Sequence, residues 1–254
     1  MVTLFGCTQL TKAYAARPLF DCISFNIEND ARIGLIGPNG SGKSTLLKII
    51  AGTETADDGT ISHQRGLKVG MLNQVPEFSA NDTVEEAIIK GVTGAHDWEH
   101  ISIVHEYMSR LSLDGRSGVA GDTPIATLSG GWKKRVALAR ALVGNHDLIL
   151  LDEPTNHLDV ESILWLEDFL ANAPFATLVV THDRLFLQRV SNRILELDRR
   201  NPGGLLNIRG DYADYLESKA QLMAGQESRE LALKNTLRRE TEWLRRGPKA
   251  RSTK

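Results

Sequence analysis

The sequence predicts an α/β fold with a mostly parallel sheet, followed by one long helix. Over the first 210 residues, short apolar segments of strand length alternate with segments of helical periodicity. Such alternation is typical of parallel strands joined by crossover helices. After Gly210 the alternation stops, and the residues from Asp211 to Arg246 are mainly the strong helix formers Glu, Lys, Arg, Ala and Leu.

The elements of the predicted sheet follow from the apolar segments in chain order. The segments VTLFGCTQLT (2–11) and FDCISFNIEN (20–29) have no helical segment between them and predict an antiparallel pair. Gly52 is expected to end the first predicted helix, and Pro154 is expected to end the predicted strand at 147–154. The remaining predicted elements are strands at 32–37, 147–154, 176–183 and 193–198 and helices at 43–52, 96–113, 128–142 and 161–172.

The predicted long helix carries only a thin apolar stripe. If continuous, the segment from Asp211 to Arg246 would span about 54 Å, with Gly225 as its only interruption and GPKA (247–250) as its end. A helix of this kind normally needs an antiparallel partner. We therefore expect that the sequence is a fragment, or that the partner lies in another chain. The stripe consists of Leu216, Met223, Leu233, Leu237 and Leu244.

Composition favours a globular protein of 254 residues, with 41% apolar and 24% charged residues. The net charge of −2 argues against a polyanion binder by composition alone. Seven Lys or Arg and only two Glu lie between Arg238 and Lys254, which suggests an acidic partner, although by charge alone a solvated helix end is favoured. Cys7 and Cys22 are expected to be reduced thiols, and no apolar run has transmembrane or signal-peptide character, so a cytoplasmic location is expected.

The segment GPNGSGKST matches the phosphate-loop pattern, and it lies between a predicted strand and a predicted helix. Glycines let the backbone approach phosphates closely, Lys43 supplies a cation to the β- and γ-phosphates, and Ser44 can place its hydroxyl on Mg²⁺. A glycine-rich turn without function does not explain this combination. The predicted phosphate-binding residues are Gly37, Pro38, Asn39, Gly40, Ser41, Gly42, Lys43, Ser44 and Thr45.

Polar side chains follow the next predicted strands. Asp152 ends the strand LILLD, where it can hold Mg²⁺, and Glu153 follows it as a candidate base for an attacking water. His182 ends the strand after that and can contact the γ-phosphate and orient water. Gln74 is a candidate sensor of metal and γ-phosphate, and Tyr14 a candidate for stacking on adenine, although a packed Tyr is as plausible by composition.

A second anion cradle begins the predicted helix at LSGG. Ser129, Gly130 and Gly131 would present bare backbone N–H groups at a helix N-terminus. One nucleoside triphosphate needs only one phosphate loop, which residues 37–45 supply. We therefore expect two such domains to face each other, with each cradle closing on the γ-phosphate that the other domain holds. His96 and His100 share a helix face but have no further ligand, so no metal site is expected there.

The motifs GPNGSGKST, Gln74, LSGG, LILLDEPTNHLD and TH, in this order, closely resemble the ATP-binding cassette (ABC) superfamily over residues 1 to about 210. The resemblance implies an ATP sandwich dimer in which Asn156–Asp159 connects the two sites. TNHLD and Trp132 after LSGG resemble the ABC-F class, and WLRRGPKARSTK (243–254) resembles the Uup branch at the start of its inter-cassette linker. The implied domains are a cassette at 1–209, with a helical subdomain at about 75–145, and a charged helical linker from 210 to 254.

The ABC-F resemblance implies an ATPase, with ATP and Mg²⁺ bound, that pairs with a second cassette, has no membrane partner and acts on ribosomes in translation. For Uup-like members it also implies a DNA-related role, whose coiled coil belongs to a C-terminal region outside this sequence. This sequence departs from the ABC-F pattern in two respects. Only 55 positions separate Gln74 from Ser129, so the helical arm of many ABC-F cassettes is short or absent, and Trp132 replaces the usual Gln.

Two other functional classes stay open. An ATP-binding subunit of a transporter is disfavoured by TNHLD and by the linker-like helix, and co-purification with a membrane subunit would revive it. A non-hydrolysing, ATP-gated clamp is disfavoured because both Glu153 and His182 are present. A second phosphate loop and a second LSGG encoded beyond Lys254 would decide the architecture.

Overall fold

The computed structural model describes residues 2–14, 17–79, 81–92 and 98–246. The strands are β1 (Thr3–Tyr14), β2 (Arg17–Glu28), β3 (Arg32–Ile36), β4 (Asp58–His63), β5 (Val69–Leu72), β6 (Leu148–Asp152), β7 (Ala176–Val180), β8 (Arg193–Leu197) and β9 (Leu205–Arg209). The helices are α1 (Lys43–Ile50), α2 (Val84–Ile89), α3 (Trp98–Arg110), α4 (Gly130–Val143), α5 (Val160–Ala171), α6 (Arg184–Val190) and α7 (Tyr212–Arg246).

Six strands form one sheet in the order β5-β6-β7-β3-β8-β9. All neighbouring strands in it are parallel except β8 and β9, which are antiparallel. Asp152 at the end of β6 pairs with Val180 of β7, and Val180 pairs with Leu35 of β3. The carboxyl ends of β6, β7 and β3 therefore lie side by side, which brings the segments that follow them together.

The central strands β3, β6 and β7 are mostly apolar because both faces of the sheet are covered. All five residues of β6 are buried, and its side chains alternate between two hydrophobic cores. Ile149 and Leu151 face the helices α2 to α6, and Leu148 and Leu150 face α1 and the second sheet. These features confirm the predicted α/β class with a mostly parallel sheet.

The second sheet is antiparallel, in the order β2-β1-β4. The predicted pairing of the first two segments is confirmed, but both strands extend beyond the predicted ranges and pair from Thr3–Glu28 to Tyr14–Arg17. Their register shifts near Gln9 and Cys22, both of which have positive φ values. Such irregularities interrupt the alternation of apolar and polar residues, so the pattern understates the strand length. Cys7 and Cys22 are free thiols.

The helices α2, α3 and α4 follow one another in the chain between β5 and β6, and they pack against one another. The sequence does not predict α2, because its six residues are too few to show helical periodicity. Its start is nevertheless marked by a capping box, in which Thr83 and Glu86 each accept a hydrogen bond from the other's backbone N–H. The predicted helix at 96–113 corresponds to α3, and residues 93–97 lie outside the described ranges.

Contacts divide the chain into two units, one up to Tyr212 and one from Ala213 onwards. The helix α7 has 35 residues and continues through Gly225. The predicted break at 247–250 and the last eight residues of the basic tail lie outside the described ranges. No helix among the described residues combines the length and the apolar character needed to cross a membrane.

Candidate functional site

A cavity of about 600 Å³ opens at the carboxyl ends of β3, β6 and β7. Three segments that are far apart in sequence meet there, because the strand order places their strands next to one another. The predicted site residues that line it are Tyr14, Asn39, Gly40, Gly42, Lys43, Ser44, Thr45, Gln74, Asp152, Glu153 and His182. Leu19, Asn156 and Val180 line it as well and were not among the predicted site residues.

The phosphate loop connects β3 to α1 by a turn that only glycine tolerates at Gly42. This residue has φ +98° and precedes the first residue of α1, and a Cβ built on it would lie 3.0 Å from the Cβ of Leu19 and from a ring carbon of Phe20. The close approach of β2 behind the loop thus requires glycine. It also explains why Leu19 is part of the site, which no local sequence pattern indicates.

The N-terminus of α1 presents free donors to the cavity. Leu46 donates the first intrahelical bond, to Gly42, so the N–H groups of Lys43, Ser44 and Thr45 have no acceptor within the helix. The Lys43 ammonium donates to the carbonyls of Gly37 (2.9 Å) and Pro38 (3.1 Å). Burial lowers the pKa of Lys43, and the carboxylates of Glu153 and Asp152 oppose this.

These donors fit a nucleotide phosphate, and one buried atom supports the fit directly. The hydroxyl of Ser41 is buried without a hydrogen-bond partner among the described residues, and buried polar groups normally have one. Free N–H groups at a helix N-terminus, an ammonium and an unpaired hydroxyl are the groups that bind phosphate. The oxygens of Ser44, Asp152 and Gln74 in the same cavity are of the type that Mg²⁺ prefers.

Glu153 and His182 face each other in this cavity. The distance from His182 Nε2 to Glu153 Oε1 is 3.6 Å, which is longer than a hydrogen bond. The side chain of Glu153 is only 15% exposed, whereas that of His182 is 66% exposed. Burial raises the pKa of Glu153, and the neighbouring His182 opposes this shift. A buried carboxylate with a raised pKa is suited to accept a proton.

Tyr14 lies at the mouth of the cavity, at the end of β1. Its ring is half exposed, and the buried Lys12 places its ammonium 5.5 Å from the ring centroid. Lys12 is itself held by ion pairs with Glu54 (2.9 Å) and Asp57 (3.1 Å). The Tyr14 ring is therefore supported by Lys12 on one side and exposed on the other, which is compatible with the predicted stacking on adenine.

The second cradle lies elsewhere. Ser129 is the residue that precedes α4, and neither it nor Gly130 or Gly131 lines the cavity. A Cβ on Gly130 would meet no atom within 4 Å, so this residue faces open space. A Cβ on Gly131 would lie 3.3 Å from the Cβ of His157, so the cradle packs against the segment that follows Glu153. Within this chain, the phosphate loop and the cradle are therefore separate.

Comparison with known proteins identifies the family. The family model described as "ABC transporter" matches residues 20–156. The relatives include an uncharacterized ABC transporter ATP-binding protein, YfmR, of Bacillus subtilis, 41% identical over all of this chain and 45% of its own length. The energy-dependent translational throttle protein EttA of Mycobacterium tuberculosis is 36% identical (99% of this chain, 50% of EttA), and the ATP-binding protein Uup of Haemophilus influenzae is 35% identical (100% and 43%).

Solved structures give the same result for the fold. The ATP-binding subunit of an ABC transporter superposes with a TM-score of 0.73 at 21% identity, covering 86% of this chain and 94% of the subunit. An ATP-binding cassette solved as a dimer in a post-hydrolysis state, bound to ADP and Pi, has a TM-score of 0.66 at 25% identity and is covered completely by 82% of this chain. The chain spans about half the length of the curated relatives it matches. Both comparisons agree with the observed fold, and this chain belongs to the ABC transporter family as an ATP-binding cassette.

Proposed function

We propose that this chain binds ATP with Mg²⁺, hydrolyses ATP to ADP and phosphate, and works in the cytoplasm as one half of an ATP sandwich within an ABC-F protein. The observation that carries the proposal is the shared cavity of Lys43, Asp152, Glu153 and His182 at three adjacent strand ends. Residues 1–209 form the cassette in this proposal, with the helical subdomain at about 75–145. Residues 210–254 begin a helical linker.

In the proposed binding mode, the N–H groups from Asn39 to Thr45 and the Lys43 ammonium bind the phosphates. Tyr14 stacks on the adenine ring. Ser44, Asp152 and Gln74 would hold Mg²⁺, and the ion would supply neutralisation of the phosphate charge. The raised pKa of Glu153 and its place beside this cluster support its role as the base.

Glu153 accepts a proton from the attacking water as the water oxygen bonds to the γ-phosphorus. The bond from that phosphorus to the bridging oxygen breaks, and ADP leaves. His182, mostly exposed and 3.6 Å from Glu153, donates to the γ-phosphate and holds the water in place. Ser129–Gly131 bind the γ-phosphate held by a second cassette, because these residues do not reach the cavity of their own chain.

The proposed cellular target depends on similarity and charge rather than on the residues of the cavity. One relative is a translational throttle protein by name. Together with TNHLD and the basic segment 238–254, this name supports action on ribosomes or on nucleic acid. The branch stays open, since EttA and Uup are almost equally similar at 36% and 35% identity. A transporter subunit is the alternative. The compact spacing from Gln74 to Ser129 favours it, and co-purification with a membrane subunit would support it.

Nucleotide affinity and turnover test the proposal with two variants and matched controls. We expect Lys43→Ala to weaken ATP binding by about tenfold to a hundredfold, because a charge-assisted contact is lost. Lys48→Ala removes a cation from the exposed side of the same helix and should bind normally. Glu153→Gln should bind ATP but lose turnover by about a hundredfold, whereas Glu161→Gln, at an exposed position of α5, should keep its turnover. Unchanged affinity in Lys43→Ala would refute the binding site, and near-normal turnover in Glu153→Gln would refute the role of Glu153.

A further inference from the structure

Arg135 on α4 connects this helix to the segment that follows Glu153. Its guanidinium donates from Nε to the carbonyl of His157 (3.0 Å) and from Nη1 to Asp159 Oδ2 (2.8 Å), and Nη1 also contacts the carbonyl of Leu111 (3.3 Å). The side chain is only 12% exposed although it is charged. A buried guanidinium with three acceptors is a fixed structural link rather than a solvated surface charge.

Trp132 completes this link from the preceding turn of α4. The centre of the Arg135 guanidinium lies 4.8 Å from the centroid of the Trp132 ring, and the spacing of three residues puts both side chains on one helix face. The ring is half-buried and packs against the core of the helical layer. It therefore covers the guanidinium and holds its plane in the orientation that the acceptors require.

One acceptor of Arg135 lies at a strained residue of the neighbouring loop. His157 has φ +69°, a conformation that non-glycine residues rarely adopt, and Arg135 binds the carbonyl of this residue. Asp159 caps α5 by accepting from the Ser162 N–H (2.8 Å) through the carboxylate that also pairs with Arg135. The guanidinium thus holds both the unusual turn at His157 and the start of α5.

The cradle touches the same loop directly. The built Cβ of Gly131 would lie 3.3 Å from His157, so the backbone at Gly131 is in contact with the loop at the position where Arg135 holds it. Trp132 follows Gly131 immediately in the chain. The cradle and the loop 156–159 are therefore joined at two points one helical turn apart, and neither can shift alone without breaking one of them.

We propose that Trp132 and Arg135 are positioning residues that lock the cradle Ser129–Gly131 to the loop 156–159, so that both move as one body when a second cassette closes. The proposal rests on the proposed function for its consequence in catalysis. Trp132 takes the role of an aromatic lid on Arg135, which accounts for an aromatic residue where the family pattern has Gln. Loss of the lock loosens the cradle and the loop 156–159, of which only Asn156 lines the nucleotide cavity of the same chain.

Amide hydrogen exchange of the whole chain without nucleotide tests the lock independently of ATP. Arg135→Lys keeps the charge, but an ammonium cannot bind three acceptors in one plane or stack on a ring. We expect about tenfold faster exchange at residues 156–159 and unchanged exchange in α1. We also expect a shift in the Trp132 emission, which is isolated by subtracting the spectrum of Trp132→Phe. Lys134→Gln on the same helix is the control, and equal loop exchange in both variants would overturn the lock.

Measurements of ATP turnover and ATP affinity test the catalytic consequence of the lock. We expect Arg135→Lys and Trp132→Gln to lower turnover by about tenfold while the ATP Kd stays within about twofold, because a small misplacement of a reacting group is costly. Trp132→Phe keeps an aromatic face and should restore turnover to within about twofold of the original chain. If turnover is normal in both impaired variants, positioning is refuted. If the original chain does not hydrolyse ATP, the proposed function and the catalytic consequence both fail, and loop exchange alone then decides the lock.

Discussion

The environment of Glu153 determines how it can act. The preceding strand β6 is wholly buried and ends at Asp152, and the chain then turns at Glu153 with φ +52°. The Glu153 N–H is held by the carbonyl of Val180 (2.8 Å), so the side chain stays beside the end of β7. Burial there raises the pKa of the carboxyl group, while His182 works in the opposite direction. The pKa of Glu153 is thus raised by burial and by Asp152 and lowered by His182 and, to a smaller extent, by Lys43.

This balance predicts a defined pH dependence. Glu153 must be ionised to accept a proton, so turnover should fall as the pH drops through its pKa, which lies above the ordinary value of 4.5. His182→Ala removes the imidazole, which is the neighbouring group that lowers this pKa most, so the acidic limb of the kcat–pH profile should move to higher pH, whatever the loss in maximal rate. His105→Ala, an exposed histidine paired with Glu85, is the control. A limb that stays in place, or moves to lower pH, contradicts this account.

Two glycines show how helices in this chain are built and ended. Gly52 follows α1 with φ +73° and ends it with two bonds, from Gly52 N–H to the carbonyl of Ile49 (3.1 Å) and from Thr53 N–H to that of Lys48 (2.9 Å). This is the Schellman arrangement, which requires a left-handed residue. Gly225 lies exposed within α7 and has no neighbouring atom within 4 Å of a built Cβ.

The same substitution should therefore have opposite effects at the two positions. Gly52→Ala forces an L-residue into the left-handed region and should lower the free energy of unfolding by about 1–2 kcal/mol, measured by urea denaturation. Gly225→Ala removes backbone freedom from a helix interior and should stabilise α7 locally by about 0.5–1 kcal/mol, measured by amide exchange around residue 225. Open space surrounds both built Cβ atoms, so each is a control for the steric effect of the other. If both substitutions change stability in the same direction, the difference in backbone φ between the two glycines does not determine the effect.

The separation of phosphate loop and cradle concerns the molecule as a whole. Lys43 lines the cavity at the strand ends, whereas Gly130 begins α4 and faces open space. A chain arranged in this way offers one half of each of two sites. In the proposed function, complete sites form only when two cassettes meet.

This arrangement predicts concentration-dependent turnover and a selective effect of a carboxylate at the cradle. For the 254-residue chain, specific activity should rise with protein concentration, because two copies must associate. Gly130→Asp has room in the monomer, so ATP affinity at low protein concentration should be unchanged. Turnover should be lost because the carboxylate repels the partner's γ-phosphate. Gly225→Asp adds the same charge at another exposed helical glycine and should retain turnover. Flat specific activity, or loss of ATP binding in Gly130→Asp, rules out action in trans.

Local patterns in the sequence were sufficient for the strands β3, β6, β7 and β8 and for the residues that follow them, whereas β4 and β9 were not predicted. Buried parallel strands are short and mostly apolar, as in LILLD, and the phosphate-loop pattern before Lys43 is contiguous in the sequence. The end of α1 at Gly52 could be predicted for the same reason, because its capping bonds join residues at most five positions apart. The short helix α2 and the full lengths of β1 and β2 could not, since too few residues or local bulges hide their periodicity.

Contacts between distant segments were decided by the tertiary structure alone. The strand order places Lys43, Glu153 and His182 in one cavity, and it follows from packing of whole layers rather than from any single segment. The contact between Gly131 and His157 likewise joins residues that no periodicity relates. The same holds for Trp132, which the sequence marks as unusual. Its partner Arg135 becomes meaningful only because folding brings the carbonyl of His157 within reach, since hydrogen bonds and burial depend on distance in space and not along the chain.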